Sequence, residues 1–278
     1  MVSPPSIRLT GLRLYPVKSL QGISIDGGTV DALGLLHDRR FLVVDDDGRF
    51  LTQRTWPRMA SIGTALDADH LTLSAEGHGH RRVPLREIDA PLRTVGVWGS
   101  KGLNAEDCGD EIAGWLSDFL KVGCRLVRIG DAFDRPVSKG DFARSGDVVG
   151  FADAFPFLIV SEASLAELNR RILEGDGAPV PMDRFRSNLI VDGCEPFAED
   201  TWSRFQFGDV VFRSGGPCIR CIITTTDQRT GERGKEPLRT LARFRRDPED
   251  PSQVRFAQNL IHESKRGTLR VGDVLRLL

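Results

Sequence analysis

The chain has 278 residues, of which 40% are hydrophobic and 28% charged, with a formal net charge of -1. This composition is that of an ordinary globular protein, and its near-neutral charge excludes the strong field that attracts nucleic acid or anionic membranes. No signal peptide opens the sequence, and no stretch approaches the roughly 18 apolar residues that cross a bilayer. We therefore expect a cytoplasmic protein that binds neither nucleic acid nor membrane and keeps its five cysteines reduced.

The first half of the chain has the signals of short strands joined by tight turns. Residues 41–54 place β-forming residues on both sides of Asp47-Gly48, which predicts a hairpin. Residues 70–85 predict a second hairpin with its turn near Glu76-Gly77. Residues 110–120 then carry apolar side chains at helical spacing, and a strand is expected at residues 125–129.

The second half begins with a charged, glycine-rich segment, residues 130–156, which is longer than an ordinary structureless connection and indicates a functional loop or a domain junction. A strand and a helix follow; Ser164 and Glu167 fit a capping box, and Gly175 ends the helix. The remaining predicted elements are strands at residues 188–193 and 209–216, a helix at 237–244 and a hairpin around 271–273. This order predicts a mostly β (α+β), barrel-like fold with a few peripheral helices.

Cys218 and Cys221 form a C-x-x-C pair after a Gly-Gly-Pro turn, with Arg220 between the thiols. A zinc site requires a second ligand pair, which the isolated cysteines do not supply and the turn histidines at 78–80 supply poorly. A thioredoxin-type dithiol requires a following helix, whereas the β-branched run 222–226 favours a strand. Two buried structural cysteines are a simpler alternative. The glycines and the neighbouring cation favour instead a thiolate that ligates a soft metal.

Several short segments combine basic and polar residues suited to binding an anion. They are Lys18 and Ser19 after one predicted strand, Arg39 and Arg40 at the start of another, and Arg184, Arg186 and Asn188 before a third. For each segment alone, a solvated surface is the simpler explanation. Together they indicate that one phosphorylated ligand is bound by residues far apart in the chain.

Eight segments, in order, resemble motifs of the MOSC family, and most closely the group with an N-terminal MOSC β-barrel region, which includes amidoxime-reducing proteins. They are YPVKS, GLLHDRRFLVVDDDGRFLTQR, FPFLIVSEASLAELN, FRSNLIVDGCEPFAEDTW, PCIRCIITTTDQRTGER, EPLRTL, FAQNL and GTLRVGDVL. The resemblance begins at about residue 7 and runs to the C-terminus. It implies an N-terminal MOSC β-barrel region at residues 1–127 and a MOSC domain at residues 128–278.

Resemblance to this family implies a molybdenum cofactor, a pyranopterin dithiolene whose metal takes one further thiolate from the protein. By this resemblance the metal ligand is Cys221, the second cysteine of C-x-R-C, and Cys218 is a neighbour. Asp153 would lie at the edge of the substrate pocket as a second catalytic position. The positions that match cofactor contacts are Lys18, Ser19, Arg39, Arg186, Asn188, Ile219, Arg220 and Asn259. The segment FAQNL departs from the pattern, because Ala257 stands where relatives often have glycine.

The activity implied is the two-electron reduction of small N-hydroxylated compounds, such as amidoximes and hydroxylamines, which lose their oxygen. We expect neither the membrane anchor of mitochondrial relatives nor the C-terminal iron–sulfur domain of some bacterial ones. We therefore expect a monomer that receives electrons from a separate ferredoxin-, flavodoxin- or cytochrome b5-like protein. The alternatives are a non-catalytic carrier of the cofactor, a sulfur carrier with a persulfide on Cys221, and a scaffold whose buried cysteines bind no metal.

Overall fold

The protein is built mainly from β-strands, as predicted, in a computed structural model that describes residues 6–87, 89–138 and 141–278. The strands are β1 (Arg8–Leu14), β2 (Ile23–Ile25), β3 (Gly27–Asp31), β4 (Gly34–Leu35), β5 (Phe41–Val44), β6 (Gly63–Leu66), β7 (His70–Ala75), β8 (Gly79–Pro84), β9 (Leu92–Val97), β10 (Ser100–Asp107), β11 (Arg125–Arg128), β12 (Phe157–Ser161), β13 (Leu189–Asp192), β14 (Arg204–Phe207), β15 (Val210–Arg220), β16 (Val254–His262), β17 (Gly267–Arg270) and β18 (Leu275–Leu277). The helices are α1 (Asp110–Leu120), α2 (Glu162–Glu174) and α3 (Leu238–Phe244), with 3₁₀ helices at Pro57–Ser61, Met182–Phe185, Ala198–Thr201 and Ile222–Thr225.

The largest sheet has eight strands in the order β18-β14-β15-β16-β12-β13-β1-β2. Its only parallel pair among the described residues is β12 with β13, and all its other neighbours are antiparallel. Parallel neighbours need a long crossover connection, and α2 lies in the connection between these two strands. Three smaller sheets have the orders β5-β11-β10-β9, β6-β7-β8 and β17-β3-β4.

The N-terminal strands are shared with the C-terminal half of the chain. Strand β1 pairs with β13, with Arg8 opposite Asp192, and β3 pairs with β17. The division into units at residues 1–127 and 128–278 remains a prediction. The largest sheet and the sheet of β17, β3 and β4 nevertheless contain strands from both sides of that boundary. Strand β1 lies between β13 and β2 in the largest sheet. The residues that follow β1 therefore lie beside strands of the C-terminal half of the chain.

Several predicted elements form where the local pattern placed them. Helix α1 spans the predicted residues and buries Ile112, Trp115 and Phe119 in a core with strands β7 and β8. Those two strands form the predicted hairpin. Helix α3 and strand β11 also agree with their predicted positions.

The start of α2 differs from the predicted capping box. The N-cap is Ser161, whose hydroxyl accepts a hydrogen bond from the Ser164 amide, so the helix begins at Glu162. The Ser164 hydroxyl instead donates to Glu199 and accepts from the Phe197 amide. Ser164 therefore anchors a buried polar network, while Ser161, which is itself buried, caps the helix.

Two predicted hairpins are only partly formed. Residues 271–273 make a turn, but the flanking strands separate, since β17 pairs with β3 and β18 with β14. In residues 41–54 the turn forms, but the second arm makes one bridge, between Val44 and Phe50, with the Leu51 amide donating to the Val43 carbonyl. Within the described part of 130–156 no helix or extended strand forms. Among the residues described, no helix is both long and apolar enough to span a bilayer.

Candidate functional site

An open cleft of about 800 Å³ lies where the first strand of the chain meets the C-terminal strands. All ten predicted site residues line it: Lys18, Ser19, Arg39, Asp153, Arg186, Asn188, Ile219, Arg220, Cys221 and Asn259. Sequence reasoning did not identify Arg54, Phe155 and Phe185 as further lining residues. The fold thus brings these ten residues together, whereas Arg40 and Arg184, from the same predicted basic segments, do not line the cleft.

Backbone pairing explains why Lys18 and Arg39 meet. The segment after β1 runs beside the start of β5, with the Lys18 amide donating to the Phe41 carbonyl at 3.0 Å. The Arg39 amide donates to the Tyr15 carbonyl at 2.8 Å. Asn188, directly before β13, joins them, because its side-chain amide donates to the carbonyl of Arg13 on β1. Three separate segments therefore reach one end of the central strands.

The cysteine segment is a bulged strand and not a turn. Strand β15 continues through Arg220, and its pairing with β16 shifts register on both sides of Pro217. The prediction that residues 222–226 extend as a strand is wrong, because Ile222–Thr225 forms a 3₁₀ helix. The hydroxyls of Thr224 and Thr225 donate to carbonyls three residues back, which supports this tight turn. Cys221 is therefore a partly exposed residue at a strand–helix junction.

The cleft concentrates positive charge in a chain whose net charge is slightly negative. Five basic side chains line it, from Lys18, Arg39, Arg54, Arg186 and Arg220. The lining includes a single carboxylate, that of Asp153, among the described residues. This imbalance favours an anionic ligand, and guanidinium groups suit phosphate oxygens.

Two of these arginines are fixed by one aromatic ring. The guanidinium carbons of Arg39 and Arg186 lie 4.4 and 4.3 Å from the centre of the buried Tyr15 ring. Arg39 also donates to Asn188 Oδ1 at 3.0 Å, and Arg186 to the Leu20 carbonyl at 2.7 Å. Burial lowers the pKa of Arg186 to about 10, so it stays charged at neutral pH. The two guanidinium groups are held in place before any ligand arrives.

Lys18 and Asp153 form an ion pair at the border of the cleft. The Lys18 side chain is only 7% exposed and that of Asp153 is 53% exposed. Burial lowers the pKa of Lys18, although its partner Asp153 opposes this shift. Burial alone would raise the pKa of Asp153, but the Lys18 charge and the hydrogen bonds from Lys18 and Trp98 outweigh it and hold that pKa below its usual range. Asp153 is therefore an ionised carboxylate near the mouth.

The backbone is strained at several positions of the site. Ser19, Arg39 and Arg186 have φ of 67°, 48° and 54°, in the left-handed region that non-glycine residues rarely adopt. Such residues cost about 1–3 kcal/mol each and cluster at functional sites. Ala257 has φ of 73°, a conformation that glycine adopts without strain.

The two thiols have different surroundings. Arg220 Nη1 lies 2.9 Å from Cys218 Sγ, and Arg220 Nη2 donates to the Phe185 carbonyl at 2.8 Å. Burial raises the pKa of Cys218 even though the Arg220 charge opposes this. The nearby cation thus contacts the first cysteine directly, whereas Cys221 lies one residue beyond the strand.

Residues 6–123 match the MOSC N-terminal beta barrel domain, and residues 146–276 match the MOSC domain. The chain is 38% identical over 285 residues to mitochondrial amidoxime-reducing component 1 of Homo sapiens, covering 96% of this chain and 82% of that protein. It is 37% identical to the protein of the same name from Mus musculus, with 96% and 81% covered. It is 32% identical to molybdenum cofactor sulfurase of Danio rerio, covering 95% of this chain but 33% of that protein. The chain therefore belongs to the MOSC family, in the group that carries an N-terminal MOSC β-barrel domain.

Proposed function

We propose that this protein reduces N-hydroxylated compounds with a molybdenum cofactor that binds in the cleft and is ligated by Cys221. The observation that supports this most strongly is the convergence of ten predicted positions on one positively charged cleft beside a partly exposed thiol. The similarity to amidoxime-reducing components supports the substrate class.

The residues of the cleft fit such a cofactor in charge and in donor chemistry. A pterin phosphate is an anion, and Lys18, Arg39 and Arg186 offer it fixed cationic donors. The Nε atoms of Arg54 and Arg220 are buried and have no hydrogen-bond acceptor among the described residues. Buried donors of this kind are costly unless a partner is supplied. A ligand rich in oxygen acceptors would satisfy them, and a thiolate is a suitable ligand for a soft metal.

When bound, the cofactor supplies the two-electron chemistry by which an N–OH group loses its oxygen as water. The protein holds the reactants: Tyr15 fixes Arg39 and Arg186, which orient the anionic end of the cofactor. Asp153 Oδ1 accepts hydrogen bonds from Lys18 and Trp98. Its Oδ2 lies 3.7 Å from Arg54 Nη2, beyond hydrogen-bond distance, so it can accept from the N–H or O–H of an amidoxime. The ionised carboxylate thus orients the substrate at the mouth.

The electron donor and the location are part of the same proposal. Reduction consumes electrons that the side chains of the cleft do not supply. We propose that a separate ferredoxin-, flavodoxin- or cytochrome b5-like protein delivers them and that the chain acts as a monomer. Cys218 and Cys221 are free thiols, and a cytoplasmic location would keep them reduced.

A non-catalytic carrier is the second candidate function. The similarity to a molybdenum cofactor sulfurase favours a chain that holds the cofactor, or sulfur as a persulfide on Cys221, without turnover. Such a carrier needs the cationic cleft and the thiol but not the substrate contacts of Asp153.

Expression in a host that makes the cofactor tests the two candidates together. The measurements are molybdenum and pterin per chain and the conversion of benzamidoxime to benzamidine with a chemical reductant. A reductase should contain about one molybdenum per chain and produce benzamidine. Full loading without benzamidine would reject the reductase in favour of the cofactor carrier, and an added sulfur on Cys221 by mass spectrometry would identify the sulfur carrier. A chain that stays free of molybdenum in this host would contradict both cofactor-binding functions.

A further inference from the structure

A second groove, of about 1550 Å³, opens directly beside the cleft. The two share the residues at their border: Asp153, Ala154, Phe155, Cys218, Ile219 and Asn259. Beyond this border the groove is lined by Phe142, from the 130–156 segment, by the bulged part of β15, and by a polar stretch within residues 247–255 that includes Asp247, Glu249 and Asp250. A molecule that extends from the cleft across this border therefore enters the groove.

Two aromatic rings form one wall of the groove because β15 has glycines beneath them. A methyl group on Gly215 would lie 2.7 Å from Phe155 Cε1, and one on Gly216 would lie 2.7 Å from Phe142 Cζ. Gly216 also has φ of 84°, which favours glycine. The rings of Phe142 and Phe155 meet edge to face with centroids 6.3 Å apart. The glycines thus let both rings pack on the strand backbone.

Part of this wall faces solvent. Phe142 and Ile219 are each 40% exposed. A single exposed apolar side chain is common in proteins and needs no explanation. Here two of them line the same groove, and Ile219 belongs to both the groove and the cleft. A flat apolar group that covered them would remove their surface from water, which is favourable.

The border between groove and cleft also carries two polar side chains, Asp153 and Asn259. Asp153 lies there as an ionised carboxylate, and Asn259 Nδ2 donates to the Pro217 carbonyl at 3.1 Å, which ties the groove wall to β16. A ligand that matches these side chains has a polar head of N–H and O–H groups at Asp153 and an apolar body against Phe142 and Ile219. An aryl amidoxime has this shape.

We propose that the groove binds the aryl group of an N-hydroxylated substrate, with Phe142 as a specificity-determining residue. This inference rests on the proposed function for the identity of the head group. It predicts that the protein prefers aryl amidoximes to acetamidoxime, because the methyl group of acetamidoxime is too small to cover the aromatic wall.

The test compares benzamidoxime with acetamidoxime on the cofactor-loaded protein. Binding is measured by calorimetry without an electron donor, so that no turnover is needed, and kcat/KM is measured separately with reductant. Phe142→Ala should weaken benzamidoxime binding about three- to tenfold, the size of one aromatic contact. Acetamidoxime binding should be unchanged, and Phe142→Leu should restore part of the loss. Leu173→Ala is the matched control, because Leu173 is an exposed apolar residue on α2 outside both the cleft and the groove.

The outcomes separate this inference from the proposed function. Equal affinities for both amidoximes, or no effect of Phe142→Ala on benzamidoxime, would overturn the role of the groove even if both compounds are reduced. Binding of benzamidoxime that depends on Phe142, in a loaded protein that reduces neither compound, would support the groove and reject the reductase.

Discussion

For the ion pair between Lys18 and Asp153, we predict that replacing Asp153 and replacing Lys18 destabilise the protein by different amounts. The Lys18 side chain is 7% exposed, whereas the Asp153 side chain is 53% exposed. Asp153→Asn leaves a buried ammonium group without its counter-charge, while Lys18→Met leaves a carboxylate that water still reaches. We therefore expect Asp153→Asn to be the more destabilising change, although both remove the same pair.

The size of the difference follows from the exposures. Removing one partner of a fully buried pair costs about 3–5 kcal/mol, and exposed pairs contribute about 1 kcal/mol or less. With one buried and one half-exposed end, Asp153→Asn should cost about 2 kcal/mol, and Lys18→Met about 1 kcal/mol or less. Urea denaturation at neutral pH measures the free energy of unfolding of both variants, which is obtained from the midpoint and the slope of the transition.

The pH dependence of Asp153→Asn provides a further check. Burial already lowers the pKa of Lys18, and loss of Asp153, which raises it, lowers that pKa further. The cost is therefore fully present while Lys18 is protonated and disappears as the pH rises through its folded-state pKa. Glu174→Gln, which breaks an exposed pair with Arg170, is the control and should change stability by less than about 0.5 kcal/mol. Equal costs for Asp153→Asn and Lys18→Met would refute the reasoning from burial.

Three further expectations concern the cap, the cleft and pH. Ser161→Ala removes the N-cap of α2 and should lower the free energy of unfolding by about 1 kcal/mol in urea titrations. Arg39→Met should reduce molybdenum per chain, whereas its neighbour Arg40, which pairs with Asp31 outside the cleft, should tolerate the same change. Burial lowers the pKa of His262 to about 4. The unfolded chain therefore binds a proton at His262 more readily than the folded chain does. The free energy of unfolding should fall by up to about 3 kcal/mol as the pH drops from about 6.5 toward 4, and His262→Gln should reduce that fall.

Local patterns predicted the elements whose structure depends on neighbours in the sequence. The periodicity of Ile112, Trp115 and Phe119 placed α1, and turn residues placed the β7–β8 hairpin. The site residues were identified differently, by matching motifs to a family, and the structure brings those residues to one cleft.

The features that were missed depend on long-range partners. Residues 222–226 have β-branched side chains, but among the described residues their only strand-like pairing is a bridge between Thr226 and Arg233. The hydroxyls of Thr224 and Thr225 stabilise a 3₁₀ turn instead. The Gly-Gly-Pro segment was expected to turn, yet pairing with β16 keeps it extended as a bulge. Arg54 and Trp98 gave no signal because their stacking and their contacts to Asp153 exist only after distant segments meet.

Molybdenum content of the two cysteine variants tests the central claim most directly. Wild-type protein, Cys218→Ala and Cys221→Ala are prepared in the same cofactor-producing host, and metal per chain is measured by elemental analysis. We predict that Cys218→Ala retains most of the molybdenum and that Cys221→Ala loses it. Loading that survives Cys221→Ala would contradict the assignment of this thiolate as the metal ligand.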